Sequence, residues 1–179
     1  MDKNINYPAG IRNLLRFEML SQYEEYEFSL ESKNQVKVAN FIYDLYSYSD
    51  TDFKTLFDIE LKRGIYLLFN ADILTAVFYR FEGDCFFKLL EAIDNCLPAE
   101  EKMKRHKWAL HFCVKRAIYK LSKNEVLYLL SDKKNNITGL GFYTTDFYKN
   151  LGTEQLDNKL LHPRDFFNQV VDIENLGLT

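Results

Sequence analysis

The stretch RHKWALH, residues 105–111, holds the residue pair best suited to chemistry. A histidine can exchange a proton near neutral pH, and an arginine can stabilise negative charge that develops on a phosphate. The pair is therefore suited to acid–base chemistry beside a negatively charged group.

The spacing of Arg105 and His111 resembles the R-x4-6-H motif of HEPN-type ribonucleases, in which the two residues form a composite site, often across a dimer. The resemblance implies a metal-independent ribonuclease, in which His111 would act on the 2′-hydroxyl or the leaving oxygen of RNA and Arg105 would hold the scissile phosphate. On a straight helix, residues six apart point about 120° away from each other. The two side chains would therefore meet only in such a composite arrangement. The competing interpretation is a solvated basic flank, because this spacing also arises by chance in a basic segment.

The surrounding segment is strongly basic and its periodicity predicts a helix. Residues 98–123 contain eight Lys or Arg and two Glu, against a net charge of −3 for the chain. Pro98 followed by acidic residues is typical of a helix start. The segment predicts either a helix that packs beside acidic elements or a strip that binds nucleic acid or an acidic partner. The residues expected on its partner-facing side are Lys104, Trp108, Phe112, Lys115 and Tyr119.

The segment 17–31 has the opposite charge, with five Glu and no Lys or Arg. Its centre alternates tyrosines with carboxylates, a combination suited to a basic surface on a partner protein. The competing interpretation is a solvated helix face, because runs of charged residues usually lie on a solvated surface. The candidate partner-binding residues of this run are Tyr23, Glu24, Glu25, Tyr26 and Glu27.

Metal and cofactor sites are weakly supported. Glu60 and Lys62 form an E-x-K pattern, which with Asp50 or Asp52 could hold a metal if the segment were a strand. The apolar spacing around Glu60 favours a helix, on which the two side chains diverge. Phosphate-cradling glycine motifs are absent from the sequence. No metal and no cofactor is therefore expected.

Composition and periodicity predict a mainly α fold. Seven Gly and three Pro in 179 residues leave few of the usual turn residues. Apolar residues recur at helical spacing, which predicts a single domain over 1–179 with about six to eight helices. The segment 125–144 also fits one small β-hairpin around its polar DKKNN. Helices are expected at about 11–30, 36–46, 53–61, 72–82, 84–97, 98–121 and 162–175.

The segment 64–81 is apolar enough to be mistaken for a membrane span. Asn70 and Asp72 in its middle would be costly in lipid, so a buried core segment and no membrane contact are expected. The odd number of cysteines and the N-terminal residues, which do not resemble a signal peptide, favour a cytoplasmic protein. The favoured function is a small cytosolic helical protein that docks on another protein. By analogy of size and acidity it would be an inhibitor, an immunity protein or an accessory regulator of a mobile-element or defence system.

Overall fold

The computed structural model describes residues 9–49, 52–62, 64–97, 109–111, 114–133 and 136–153. Within them the fold is mainly β, so the predicted mainly α fold is wrong. Three α-helices are present in this part of the chain: α1 (Ala9–Leu15), α2 (Phe86–Cys96) and α3 (Thr145–Thr153). The strands are β1 (Leu30–Val38), β2 (Phe41–Tyr48), β3 (Thr55–Leu56), β4 (Ile59–Glu60), β5 (Ile65–Asn70), β6 (Ile73–Glu82), β7 (Ala109–His111), β8 (Val114–Lys120), β9 (Glu125–Asp132) and β10 (Ile137–Thr144).

Eight strands form one antiparallel sheet in the order β1-β2-β5-β6-β10-β9-β8-β7. In chain order, four strands of this sheet precede α2, namely β1, β2, β5 and β6. The other four, β7 to β10, precede α3. The two halves join where β6 pairs with β10, from Ile137 opposite Glu82 to Tyr143 opposite Ala76. The centre of the sheet is thus formed by strands that are far apart in sequence.

The strands near this centre are buried on both faces, which explains why their apolar pattern predicted helices. Every residue of β5 except Asn70 is buried, and so is every residue of β9 and β10 except the first of each. A strand covered on both sides loses the alternation of apolar and polar residues that marks a half-exposed strand. Continuous apolar runs remain, and these also satisfy a helical pattern.

Scarce glycine did not limit the number of turns. The β3–β4 hairpin turns at Phe57 and Asp58, with φ of 53° and 59°. The β5–β6 hairpin turns at Ala71 and Asp72, with φ of 48° and 64°. Two-residue turns with positive φ match the twist of paired strands and usually contain Asn or Gly. This chain forms them from other residues, so the inference from few glycines to few strands fails.

One face of the sheet, here the first face, carries Val77, Tyr79 and Leu129. It is covered by α1, by two short 310 turns (Tyr23–Glu25 and Glu27–Ser29), by the β3–β4 hairpin and by α2. The buried Tyr79 hydroxyl donates a hydrogen bond to the Leu15 carbonyl over 2.5 Å. This bond fixes the end of α1 to the centre of the sheet.

The opposite face, here the second face, carries Phe78 and Tyr143 and is covered by α3. Phe147 of α3 is 1% exposed. Its ring centroid lies 5.1 Å from that of Tyr43, 5.3 Å from that of Tyr143 and 6.4 Å from that of Phe78. Edge-on aromatic contacts of this kind stabilise beyond simple area burial, so Phe147 is the main anchor of α3.

The hairpin expected near 125–144 is present, as β9 paired with β10. It is not a small accessory, since both strands lie near the middle of the sheet. The segment 64–81 forms β5 and most of β6 and is buried, as expected for a core segment. Among the described residues, no helix has the length and apolar character needed to cross a bilayer.

Candidate functional site

The acidic run does not form a long helix. Instead α1 ends at Leu15, where Arg16 adopts a positive φ of 61°, and residues 23–29 form the two 310 turns. Glu25 accepts a hydrogen bond from the Gln22 backbone N–H over 3.1 Å and so closes the first turn. A 310 turn has three residues per turn, so residues three apart share a side.

This period separates the tyrosines of the run from its carboxylates. The Tyr23 ring packs 5.4 Å from Tyr46 and 5.6 Å from Phe69, in the aromatic layer on the first face. Tyr26 shares a hydrogen bond with the Ser21 hydroxyl over 2.8 Å. Both tyrosines therefore hold the run against the sheet, and their rings are only partly available to a partner.

The outward side of these turns and the start of β1 form a surface that we name the acidic ridge, which consists of Glu24, Glu25, Glu27, Phe28 and Glu31. All of its side chains are exposed, and Phe28 in its middle is 95% exposed. Among the described residues, no lysine or arginine forms an ion pair with Glu24, Glu27 or Glu31. Phe28 was missed in the sequence, although the three-residue spacing of Tyr23 and Tyr26 could have indicated that it faces outward.

The basic segment 98–123 is not a helix wherever the structure describes it. Residues 109–111 and 114–120 form β7 and β8, with His111 opposite Val114. The predicted helix is therefore wrong there, and with it the helical placement of His111. Arg105, the other half of the ribonuclease pair, lies outside the described residues. So do three of the predicted partner-binding residues, Lys104, Trp108 and Phe112.

Lys115 and Tyr119 lie on β8, where both contact α2 or the loop before it. The Lys115 ammonium binds the Asp84 carboxylate and lies 4.6 Å from the centre of the Phe87 ring. Tyr119 is 3% exposed, and its hydroxyl donates to Asp94 over 3.1 Å. These contacts attach α2 to the sheet, and little of Tyr119 is left for a partner.

Asp84 is the centre of this polar contact, and its protonation should affect stability. Burial raises the pKa of Asp84, but hydrogen bonds from Lys115 and Ser131 outweigh burial and leave the pKa below its ordinary value. A lowered folded-state pKa contributes stability above the unfolded-state pKa, and that stability is lost as pH falls through the folded value. Because the side chain is 36% exposed, we expect a contribution below about 1 kcal/mol.

We expect Asp84→Asn to lower the free energy of unfolding at neutral pH and to have progressively less effect in acid, as the pH falls through the lowered pKa of the folded-state carboxyl. Urea denaturation at several pH values measures this difference. Asp146→Asn is the matched control, since the Asp146 side chain is 90% exposed. A loss in Asp84→Asn that stays constant from neutral to acid pH would contradict the assigned role of the carboxylate.

The E-x-K pattern lies partly on a strand, since Glu60 ends β4. Lys62 pairs with Glu60 over 3.7 Å, and both side chains are more than half exposed. Asp50 lies outside the described residues, and Asp52 is exposed. Within the described ranges, no group of three or more His, Cys, Asp or Glu side chains is placed to hold a metal ion.

Two tyrosines on the second face, Tyr128 and Tyr143, are buried, and among the described residues the Tyr143 hydroxyl has no hydrogen-bond partner. Burial raises the pKa of Tyr128 to about 12 and raises that of Tyr143 well above its usual range. Both phenols therefore stay protonated at neutral pH and cannot act as general bases there.

Comparison with protein-family models, with curated proteins and with solved structures finds no match to this chain. Function is therefore inferred from the exposed side chains and their geometry alone.

Proposed function

We propose that this chain is a binding protein that docks on a basic protein surface through the acidic ridge. The observation that carries the proposal is the 95% exposure of Phe28 among carboxylates that no described cation neutralises. Burying a Phe side chain yields about 2 kcal/mol, and central aromatic residues are common binding hot spots. The carboxylates around it would direct a basic partner and fix its orientation.

The backbone of the acidic ridge is held in place before any partner arrives. The Tyr23 N–H donates to the Asp72 carbonyl, and the Ser49 N–H donates to the Ser29 carbonyl, each over 2.8 Å. The Tyr23 ring packs against Phe69, and the Tyr26 hydroxyl shares a hydrogen bond with the Ser21 hydroxyl. Both side chains therefore hold the same turns against the sheet. A preorganised surface loses less conformational freedom on binding, so more of the contact energy appears as affinity.

The neighbouring edge strand β1 is a poorer docking element than the acidic ridge. Its pairing with β2 is interrupted by a bulge between Glu31 and Asn34, and Lys33 and Lys37 lie along it. Bulges and lysines on an edge strand discourage the addition of a further strand. This favours docking through side chains over docking through the backbone.

A protein of this kind would be an inhibitor, an immunity protein or an accessory regulator that covers the basic surface of a partner enzyme. The small size and the net charge of −3 support this class by analogy. A cytoplasmic setting belongs to the same proposal. Cys85 and Cys96 are free thiols, as is usual in a reducing compartment.

Affinity capture from cells that naturally express the chain tests the proposal. We expect wild type to retain a basic protein in stoichiometric amount, with binding that weakens as salt is added. Phe28→Ala should reduce the affinity by about tenfold or more, as a hot-spot truncation does. Replacing Glu24 and Glu27 together by Gln should lower the association rate and the salt dependence.

Phe87→Ala is the matched control, because Phe87 is also exposed, at 56%, but lies on α2 outside the acidic ridge. It should leave the capture unchanged. Equal capture by wild type and by both ridge variants would overturn the proposal. So would retention of nucleic acid in place of a protein, which would favour the basic residues of the 98–123 segment.

A further inference from the structure

A cleft of about 450 Å³ opens on the first-face side, between the end of α1, the β3–β4 hairpin and α2. This volume is within the range of small-molecule sites. The lining is about equally polar and apolar, with apolar atoms of Leu56, Phe57 and Ala92 beside several polar side chains. Those polar residues are Asn13, Arg16, Thr55 and Asp58.

Arg16 is the one cationic residue among the described residues that line this cleft, and no described side chain neutralises its guanidinium. The group lies 4.4 Å from the centre of the Phe53 ring. Stacking of this kind holds the guanidinium plane in place while leaving its N–H donors unused. Within the described residues, the Arg16 side chain forms no ion pair, and this includes Asp58 of the same cleft.

The turns beside the cleft give three of its residues positive φ. Arg16, which follows α1, has φ of 61°, and Phe57 and Asp58, in the β3–β4 turn, have φ of 53° and 59°. The β3–β4 turn places Phe57, a bulky aromatic residue, at the tip of the hairpin against the cleft.

Apart from Arg16, the wall of the cleft carries one charged residue, Asp58. Cys96 at the end of α2 contributes its thiol, and burial raises the pKa of that thiol. The thiol is therefore protonated at neutral pH and behaves as a small apolar group. Asp58 is the one acidic residue among those that line the cleft, and it disfavours a ligand with more than one negative charge.

We propose that this cleft binds a small organic monoanion, a carboxylate or sulfonate attached to an apolar body. The planar fork of Arg16 matches the oxygens of such a group and can bind it through two parallel hydrogen bonds. The apolar body lies against Leu56, Phe57 and Ala92. The site is separate from the acidic ridge, so binding here does not depend on the proposed docking function.

The probe for the test is 8-anilinonaphthalene-1-sulfonate, an apolar monoanion whose fluorescence rises on binding. We expect saturable binding at one site per folded chain, displaced by 3-phenylpropionate. Arg16→Gln should weaken the affinity about tenfold, as loss of a charge-assisted hydrogen bond does. Ala92→Leu should weaken it by filling the cleft without changing any charge.

Lys54→Gln is the matched control, because it removes a positive charge from the adjacent cleft, which Phe53 also lines. It should leave the affinity within about twofold of wild type, since an exposed charge acts weakly at a distance. Thermal unfolding of each variant confirms that the dye reports on folded protein. Absence of saturable binding, or equal weakening by Arg16→Gln and Lys54→Gln, would overturn the proposal. Phe28→Ala should bind the dye like wild type, which separates this result from failure of the docking function.

Discussion

Replacing Phe147 by alanine is expected to lower the free energy of unfolding by about 4 kcal/mol, the usual cost of removing a buried Phe ring. Phe147 is 1% exposed and packs against Tyr43, Phe78 and Tyr143. Its loss would leave a cavity on the second face and would remove the main contact that holds α3 to the sheet. The loss is measured by equilibrium denaturation in urea or guanidinium.

Phe28→Ala is the control for this experiment, because it is the same chemical change at a side chain that is 95% exposed. A surface substitution away from special features usually changes stability by less than about 0.5 kcal/mol. Similar losses in the two variants would show that Phe147 does not anchor α3 as described. The control also establishes that the Phe28→Ala protein used in the capture experiment is folded.

Replacing Gly141 by alanine is expected to cost about 2–3 kcal/mol, as overpacking of a well-filled core does. Gly141 lies on β10 between Tyr128 of β9 and Phe78 of β6. A Cβ atom at this position would overlap with Cζ and the hydroxyl oxygen of Tyr143, whose ring folds back over the glycine. The ring is buried by its neighbours and cannot move aside without disturbing them.

A double-mutant cycle with Tyr143→Leu identifies this contact as the cause. Leucine lacks the atoms that would overlap with the added methyl group, so Gly141→Ala should cost much less in the Tyr143→Leu background. A coupling energy of about 2 kcal/mol is expected, as for residues in direct contact. If Gly141→Ala costs the same in both backgrounds, the close approach of the Tyr143 ring is not the source of the loss.

Several local features could be predicted from the sequence because they depend on nearby residues. The helix expected at 84–97 is α2, and the hairpin expected near 125–144 is formed by β9 and β10. The placement of 64–81 in the core followed from Asn70 and Asp72, which occupy the β5–β6 turn region. In each case, turn residues or amphipathic spacing within one segment were sufficient.

The helices expected at 36–46, 53–61 and 72–82 were wrong for a nonlocal reason. These segments form β1 with β2, the β3–β4 hairpin and β6. Whether an apolar segment becomes a helix or a strand depends on the partner that satisfies its backbone hydrogen bonds. For β6 one such partner is β10, whose first residue lies 55 positions after the residue it faces, Glu82.

The acidic ridge and the cleft also depend on contacts between segments that are distant in sequence. The carboxylates of the acidic ridge were visible as a charge run, but the exposure of Phe28 depends on the 310 turns and on the packing of Tyr23 and Tyr26. The cleft could not be predicted, since Asn13, Phe57 and Ala92 come from three separate segments. Arg16 becomes a candidate binding residue only because Phe53 lies beneath its guanidinium.

The sequence by itself determined how much apolar surface must be buried and where charge is concentrated. The tertiary structure decided that this apolar surface is buried as strands covered on both faces. The physical reason is that a doubly covered strand and a buried helix have similar apolar composition, so pattern alone does not separate them. Pairing between β6 and β10, together with cover from α2 on one face and α3 on the other, made the strand the stable choice.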